Sequence, residues 1–218
     1  MANGWPVVLT DGDVRLRPLR RRDGRVWLAL RAQNADWLEP WEASSPATVT
    51  GALPTFGEFV RTMSSQARGG SALPFAVEYR GALVGQVTVS SIVYGSLRSA
   101  AIGYWVSRHV AGRGVIPTAT ALAGDHCFRV LGLHRLEVNI RTENGPSLQV
   151  MSKLGFRDEG VRARYLHIAG AWCDHRTFAL TTEDVPEGLV TRWHAARATT
   201  ESAGNGSQPT TDRPRAAE

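Results

Sequence analysis

Two short stretches of the chain carry residue types and spacings suited to chemistry. In the first, AGRGVI (Ala111 to Ile116) runs into Pro117 at the head of a largely apolar segment. Proline suits the first turn of a helix, so the backbone N–H groups of Gly112, Arg113, Gly114, Val115 and Ile116 fall at or beside a helix N-terminus. Unpaired donors and the helix dipole favour an anion there. The glycines let the backbone approach closely, Arg113 adds positive charge, and the stretch reads as a cradle for a pyrophosphate, assisted by Thr118. It is neither of the common nucleotide loops: GxxxxGKS/T is absent, and the glycines do not fit GxGxxG. A strand-to-helix turn needing flexible residues is the plainer reading of the same glycines. In the second stretch, ENGPSLQV, Asn144 and Ser147 precede an apolar-periodic run, as helix caps do.

Other apparent constellations dissolve on inspection. Cys173, Asp174 and His175 resemble a nucleophile set, but adjacent strand residues point to opposite faces and cannot converge. The six histidines are scattered without HExxH or paired-ligand spacing, so no metal is expected.

These residues need elements to hold them. DVRLRPL alternates as a strand, DGRVWLALRAQ follows as a helix with Asp23 as its cap, and TFGEFVRTMSSQARGG is a second amphipathic helix closed by glycine. PFAVEYR and LVGQVTVSSIVY form a hairpin about Arg80-Gly81. RSAAIGYWVS is the fourth strand, and a helix follows the glycine loop to about Leu131. RLEVNIR is the fifth strand, GPSLQVMSKLG a helix ended by Gly155, and two strands flank a turn at Ala169-Gly170. A short helix, Glu187 to Arg197, closes a single domain of residues 1–198, and the Ser-, Thr-, Gly- and Pro-rich residues 199–218 are expected to be a disordered tail. The order β-α-α-β-β-β-α-β-α-β-β predicts an α/β (α+β) fold with a mixed, mostly antiparallel sheet and helices on both faces.

Composition narrows the setting. The 218 residues suffice for one well-cored domain. The first residues lack a basic start and apolar core, and no apolar run approaches the roughly 20 residues of a bilayer span, so a cytoplasmic protein away from membranes is expected. Cys127 and Cys173 make no disulfide framework or zinc spacing and are expected to be reduced, Cys127 on a buried helix face. Lys153 is the only lysine against a net charge of +5. The arginines of RLRPLRRRDGR (Arg15, Arg17, Arg20, Arg21, Arg22 and Arg25) read as a solvated strand end and turn, or as a patch steering the protein towards an acidic partner such as ribosomal RNA.

AGRGVI, after a GYWVS strand and before a long helix, resembles the acetyl-CoA signature Q/R-x-x-G-x-G/A of the GCN5-related N-acetyltransferase (GNAT) superfamily. Ala111 and Ile116 depart from it. NIRTENGPSLQVMSKLGFRDEG resembles the same family's N-x-x-S, K-L-G-F motif through Asn144, Ser147, Lys153, Leu154, Gly155 and Phe156. With VRLRPLRRRD, the resemblance covers roughly residues 12 to 184 and is narrowest to the RimJ/RimL-like branch, which acetylates N-terminal amines of ribosomal proteins.

The resemblance implies a seven-stranded sheet whose strands four and five splay apart, with acetyl-CoA's pantetheine arm in the gap. Tyr104, Trp105, Val106 and Ser107 would then contact the cofactor, with the Val106 N–H as oxyanion donor. Ala111, Gly112, Arg113, Gly114, Val115, Ile116, Thr118, Asn144 and Ser147 would complete its site, Ser147 also matching a serine that protonates the leaving thiolate. The general base stays open. Ala101 and Arg164 occupy positions where relatives carry glutamate, leaving Glu42, Glu39, His167, Asp174 or an ordered water, with Glu42 the candidate carried forward. An α-amine with a pKa near 8 is already partly neutral. Trp37 and Trp41 either wall the acceptor pocket or staple their loop to the core. The implied reaction is acetyl transfer to the N-terminal α-amine of a protein or peptide, with no metal, and with nucleic acid met only through the ribosome. A small-amine acetyltransferase of the same fold and a non-catalytic acyl-CoA-binding or ribosome-associated module are the alternatives. An acidic acceptor lining would favour a polycation; a groove open at one end would favour a protein terminus.

Overall fold

A computed structural model describes residues 4–46 and 54–204. The alternating segments become strands: β1 (Leu9–Asp11), β2 (Val14–Pro18), β3 (Leu73–Tyr79), β4 (Ala82–Val93), β5 (Ser99–Val106), β6 (Arg135–Arg141), β7 (Arg157–Ile168) and β8 (Ala171–Thr181). Helices are α1 (Gly24–Gln33), α2 (Ala35–Leu38), α3 (Phe56–Arg68), α4 (Val115–Arg129), α5 (Gly145–Leu154) and α6 (Leu189–Gly204). One sheet holds all eight strands in the order β1-β2-β3-β4-β5-β6-β8-β7, antiparallel except between β5 and β6. The strand beyond the expected seven is β1, three residues too short to show a period of two. The fourth and fifth strands of the sequence reading are therefore β5 and β6.

Alternation decides which helices lie on which face. Phe75 and Val77 of β3 enter the larger core with α4, whereas Ala76 between them packs with Val60 of α3 and Trp27 of α1. The faces thus carry α1 and α3 on one side and α4, α5 and α6 on the other. Helix α4 is the centre of the second layer and is buried along nearly its whole length, Cys127 included; burial pushes that thiol's pKa up to about 12. No helix among the described residues is long and apolar enough to cross a membrane.

Three local expectations need correction. Asp23 precedes α1, but its carboxylate does not cap that helix. It accepts two hydrogen bonds from Arg17, at 2.7 and 2.9 Å, and one from the Arg20 N–H at 2.7 Å. Arg17, which also pairs with Glu78 at 2.7 Å, is consequently buried rather than solvated, while Arg20, Arg21, Arg22 and Arg25 are exposed. Finally, α6 starts at Leu189 and continues through Gly204, past the expected boundary at Thr199. Its start is set by Asp125 of α4, whose carboxylate accepts from the N–H groups of Leu189 and Val190 at 2.6 and 3.1 Å. The remainder of the expected tail, residues 205–218, lies outside the described residues.

The sheet opens at one place. Pairing of β5 with β6 is confined to Ser99, Ala100 and Ala101 against Arg135, Leu136 and Glu137. Beyond Ala101 the strands part, while β5 remains fully paired with β4 on its other edge. That edge is held tightly. A Cβ on Gly85 would lie 2.3 Å from the Trp105 carbonyl oxygen and 3.0 Å from Val106 Cα, and backbone cannot swing aside as a flexible side chain can. Gly85→Ala should force β4 and β5 apart beside Val106, at a cost on the order of 2–3 kcal/mol. Thermal unfolding should report a drop of roughly 4–12 °C for a chain of this size; an unchanged Tm would show that the close approach is not required.

Candidate active site

Where β5 parts from β6 lies a cavity of about 410 Å³, lined by β4, β5 and residues on both faces of the sheet. Its α4 side is formed by Ala111, Gly112, Gly114, Val115, Ile116, Asn144, Ser147 and Lys153, its α1 side by Arg31, Trp37, Trp41, Glu42, Gln86 and Trp105, and β5 runs between them.

On the α4 side, Gly114 immediately precedes the helix in the left-handed conformation, at φ 79°. Among the described residues, the N–H groups of Gly112, Gly114, Val115 and Ile116 have no hydrogen-bond partner. Pro117 has none to offer, and the first pairing N–H of the helix is that of Thr118, to Gly114 O at 3.1 Å. These four N–H groups lie at the N-terminus of a fifteen-residue helix, an arrangement suited to an anion. Arg113 is not part of it. Its N–H donates to Val110 O at 3.4 Å, and its exposed side chain does not reach the cavity lining.

Thr118 stands behind the loop, outside the cavity lining. It is buried, and its hydroxyl accepts from the Trp193 indole N–H of α6 at 2.8 Å. Trp193 stands against the loop itself, its Cζ2 3.3 Å from where a Gly114 Cβ would be.

Along β5, the Ser107 N–H donates to Val84 O of β4 at 2.8 Å. Successive N–H groups of a strand point to opposite edges, so those of Val106 and Tyr104 point away from β4 into the gap. Their side chains share the α4 face, and Trp105 takes the other. Ser107 lies outside the cavity: it is buried, with its hydroxyl accepting from Asn34 Nδ2 at 2.9 Å and paired with His109. Asn34 also accepts from the Arg108 N–H at 2.9 Å, fastening the end of α1 to the end of β5.

At the start of α5, Asn144 is the cap, its Oδ1 accepting from the Ser147 N–H at 3.2 Å. This settles which residue does the capping and leaves the Ser147 hydroxyl free of that duty. Burial pushes the neighbouring Tyr104 phenol up to about 12, with Ser147 acting in the opposite direction.

On the α1 side, residues 37–42 strap the open end of the gap. The Trp37 indole donates to Val106 O at 3.1 Å, and Arg108 lies over its ring. At the far strand, Arg141 covers Trp41 and donates to Pro40 O at 3.0 Å. Both tryptophans therefore wall the cavity and staple the loop. Next to them the Arg31 guanidinium lies against both indoles of the Trp27–Trp105 pair, 5.5 and 5.4 Å from their centroids, and pairs with Glu42. Trp27 also donates to Gln86 Oε1 at 3.0 Å, which orients Gln86 in the floor.

Of the proposed bases, only Glu42 lines the cavity. His167 is paired with Ser44 at 2.9 Å, Asp174 accepts from the Arg164 N–H at 2.7 Å within the β7–β8 hairpin, and Glu39 is exposed. Arg31, Gln86 and Thr88 escaped the sequence reading. The first has only its place one helical turn beyond Trp27 to mark it; the other two are ordinary polar residues of a strand. Among the described residues, no cluster of His, Cys, Asp and Glu gathers to hold a metal ion.

An open sheet with one parted parallel pair, an anion loop at a helix N-terminus and a cavity between them define an acyl-CoA type of transferase site. Residues 13–157 match the Acetyltransferase (GNAT) domain, and the chain belongs to that family. RimJ of Mycobacterium smegmatis, solved in complex with CoA-disulfide, is similar at 40% identity with a TM-score of 0.83, covering 89% of this chain and 96% of that one. The ribosomal protein uS5-alanine N-acetyltransferase of Escherichia coli is 29% identical over 84% of this chain and 94% of its own length. A Bacillus subtilis protein named Probable N-acetyltransferase YjcK is 30% identical over 81% and 98%. The chain is an acetyltransferase of this family.

Proposed function

We propose that the chain transfers the acetyl group of acetyl-CoA to the α-amine at the N-terminus of a protein or peptide, of the ribosomal-protein kind. The observation that carries this reading is the single cavity joining the donor-lined loop of Gly112 to Ile116, the free N–H edge of β5 and the aromatic mouth beneath Trp37 and Trp41. The names of the similar RimJ and uS5-alanine enzymes support the acceptor class.

Acetyl-CoA supplies an acyl group activated as a thioester. The unpaired N–H groups of Gly112, Gly114, Val115 and Ile116 hold its pyrophosphate, and the gap-facing N–H of Tyr104 hydrogen-bonds its extended arm. The Val106 N–H faces the carbonyl oxygen on which negative charge develops, a fixed donor that needs no reorganisation. Ser147 gives its hydroxyl proton to the departing sulfur. Glu42, held at the mouth by Arg31, receives the acceptor as an ammonium and takes its proton, so that the nitrogen attacks neutral. Ala111 and Asn144 line the cofactor side, and Trp105 its acceptor face.

The charged groups of the lining, Arg31, Glu42 and Lys153, include one carboxylate against two cations. On the acceptor side this leaves a single carboxylate, paired with Arg31, and no acidic surplus to favour a polycation. Thiol release from acetyl-CoA, measured with short peptides of differing N-terminal residue, with polyamines and with aminoglycosides, tests the assignment. Turnover is expected with peptides bearing a free α-amine and not with N-terminally blocked copies. Turnover with small amines alone would overturn the acceptor class; CoA binding without any turnover would overturn catalysis.

A further inference from the structure

Three buried side-chain polar atoms among the described residues have no hydrogen-bond partner: Tyr104 Oη, Thr120 Oγ1 and His126 Nε2. Of these residues only Tyr104 lines the cavity. An unsatisfied buried hydroxyl costs roughly 1–3 kcal/mol, so one retained in a reaction chamber calls for a use. The polar side chain that bears on the phenol is Ser147, next to it across the cofactor side of the gap. The Ser147 N–H is taken by Asn144, and among the described residues the polar side chain facing its hydroxyl is the Tyr104 phenol. A serine hydroxyl has a single proton and an oxygen that accepts as well. In a helix, the default target of that proton is a backbone carbonyl one turn back.

We propose that Tyr104 is a positioning residue whose phenol donates to Ser147 Oγ during turnover, directing the serine's one proton to the departing sulfur. The inference rests on the reading of Ser147 as proton donor. Tyr104 fits the part because burial keeps its phenol protonated across the working pH range, so it serves as a donor and not as a base. A hydroxyl that accepts a hydrogen bond also becomes a stronger donor. The S–H bond forms as the Ser147 O–H bond breaks, and the serine oxygen is reprotonated by the proton that the attacking nitrogen must shed. Tyr104 keeps its own proton throughout and steadies the serine oxygen between the two transfers.

Wild type, Tyr104→Phe, Ser147→Ala and the double variant form a cycle that tests this, read by Tm of the unliganded protein, CoA affinity by calorimetry, and kcat with acetyl-CoA KM. Tyr104→Phe should keep or raise Tm, because it deletes an unsatisfied hydroxyl, and should leave CoA affinity and KM unmoved. Its kcat should fall about 10-fold or more, with no further fall when Phe is placed in the Ser147→Ala background. A lowered Tm with intact kcat would make Tyr104 structural and overturn the inference. So would an equal loss of kcat in the presence and absence of Ser147. Full kcat in Tyr104→Phe beside a reduced Ser147→Ala overturns the role of Tyr104 alone; undiminished kcat in Ser147→Ala overturns the reading of Ser147 and the inference with it.

Discussion

Replacing Val106 with proline should lower kcat by about 10²–10³-fold, the usual consequence of losing one oxyanion donor, with only a minor change in CoA affinity. The expectation follows from strand parity. Because the Ser107 N–H is the one that meets Val84, the Val106 N–H belongs to no β4–β5 bond, and proline there deletes no rung of the ladder. Proline is tolerated where a strand's N–H faces an open edge, and the gap beyond Ala101 is such an edge. Val106→Ala, which keeps the N–H, is the matching control and should retain nearly full activity. Steady-state kinetics of the two variants separate the roles: equal activity in both would remove the Val106 N–H from the chemistry.

The second large effect is expected at Gly114. Gly114→Glu should weaken CoA binding by at least about 100-fold, since a carboxylate would compete with the pyrophosphate for the same donors. Two smaller penalties accompany the charge. A non-glycine residue at φ 79° costs roughly 1–2 kcal/mol, and its Cβ would press on Trp193. Gly114→Gln carries both penalties without the charge, so the ratio of the two CoA affinities, measured by calorimetry at low and high salt, isolates the electrostatic part. That ratio should shrink as salt rises. Equal weakening by Glu and Gln at every salt concentration would mean that the loop is read by shape and not by charge.

Much of this architecture is legible in the chain because its signals are local. Alternation in RLEVNIR and helix punctuation around GPSLQVMSKLG mark their elements from neighbours alone, and the glycine loop announces its donors by type and position. What escaped is what depends on residues far apart. Asp23 looks like a cap until Arg17 takes its carboxylate, and the acceptor that Thr118 offers to the Trp193 indole is set by a residue 75 positions on. Ser107 belongs by sequence to the strand facing the cofactor, but its hydroxyl accepts from Asn34 at the end of α1 and it stands outside the cavity lining. Arg31 has no local mark, since its place against the Trp27–Trp105 pair depends on a contact of α1 with β5. Strand β1 was too short for a period, and α6 owes its start to Asp125 in another helix.

The Trp193–Thr118 contact bears on how the protein comes into being. The matched family region ends at residue 157, yet the wall behind Gly114 is supplied by a residue that follows it by more than thirty positions. Strand β8, which covers the free edge of β6, also lies beyond that limit. During synthesis the glycine loop and both parted strands emerge well before the pieces that brace them. The glycine loop is therefore complete in the chain before β8 and Trp193, which brace it and its sheet, have been made.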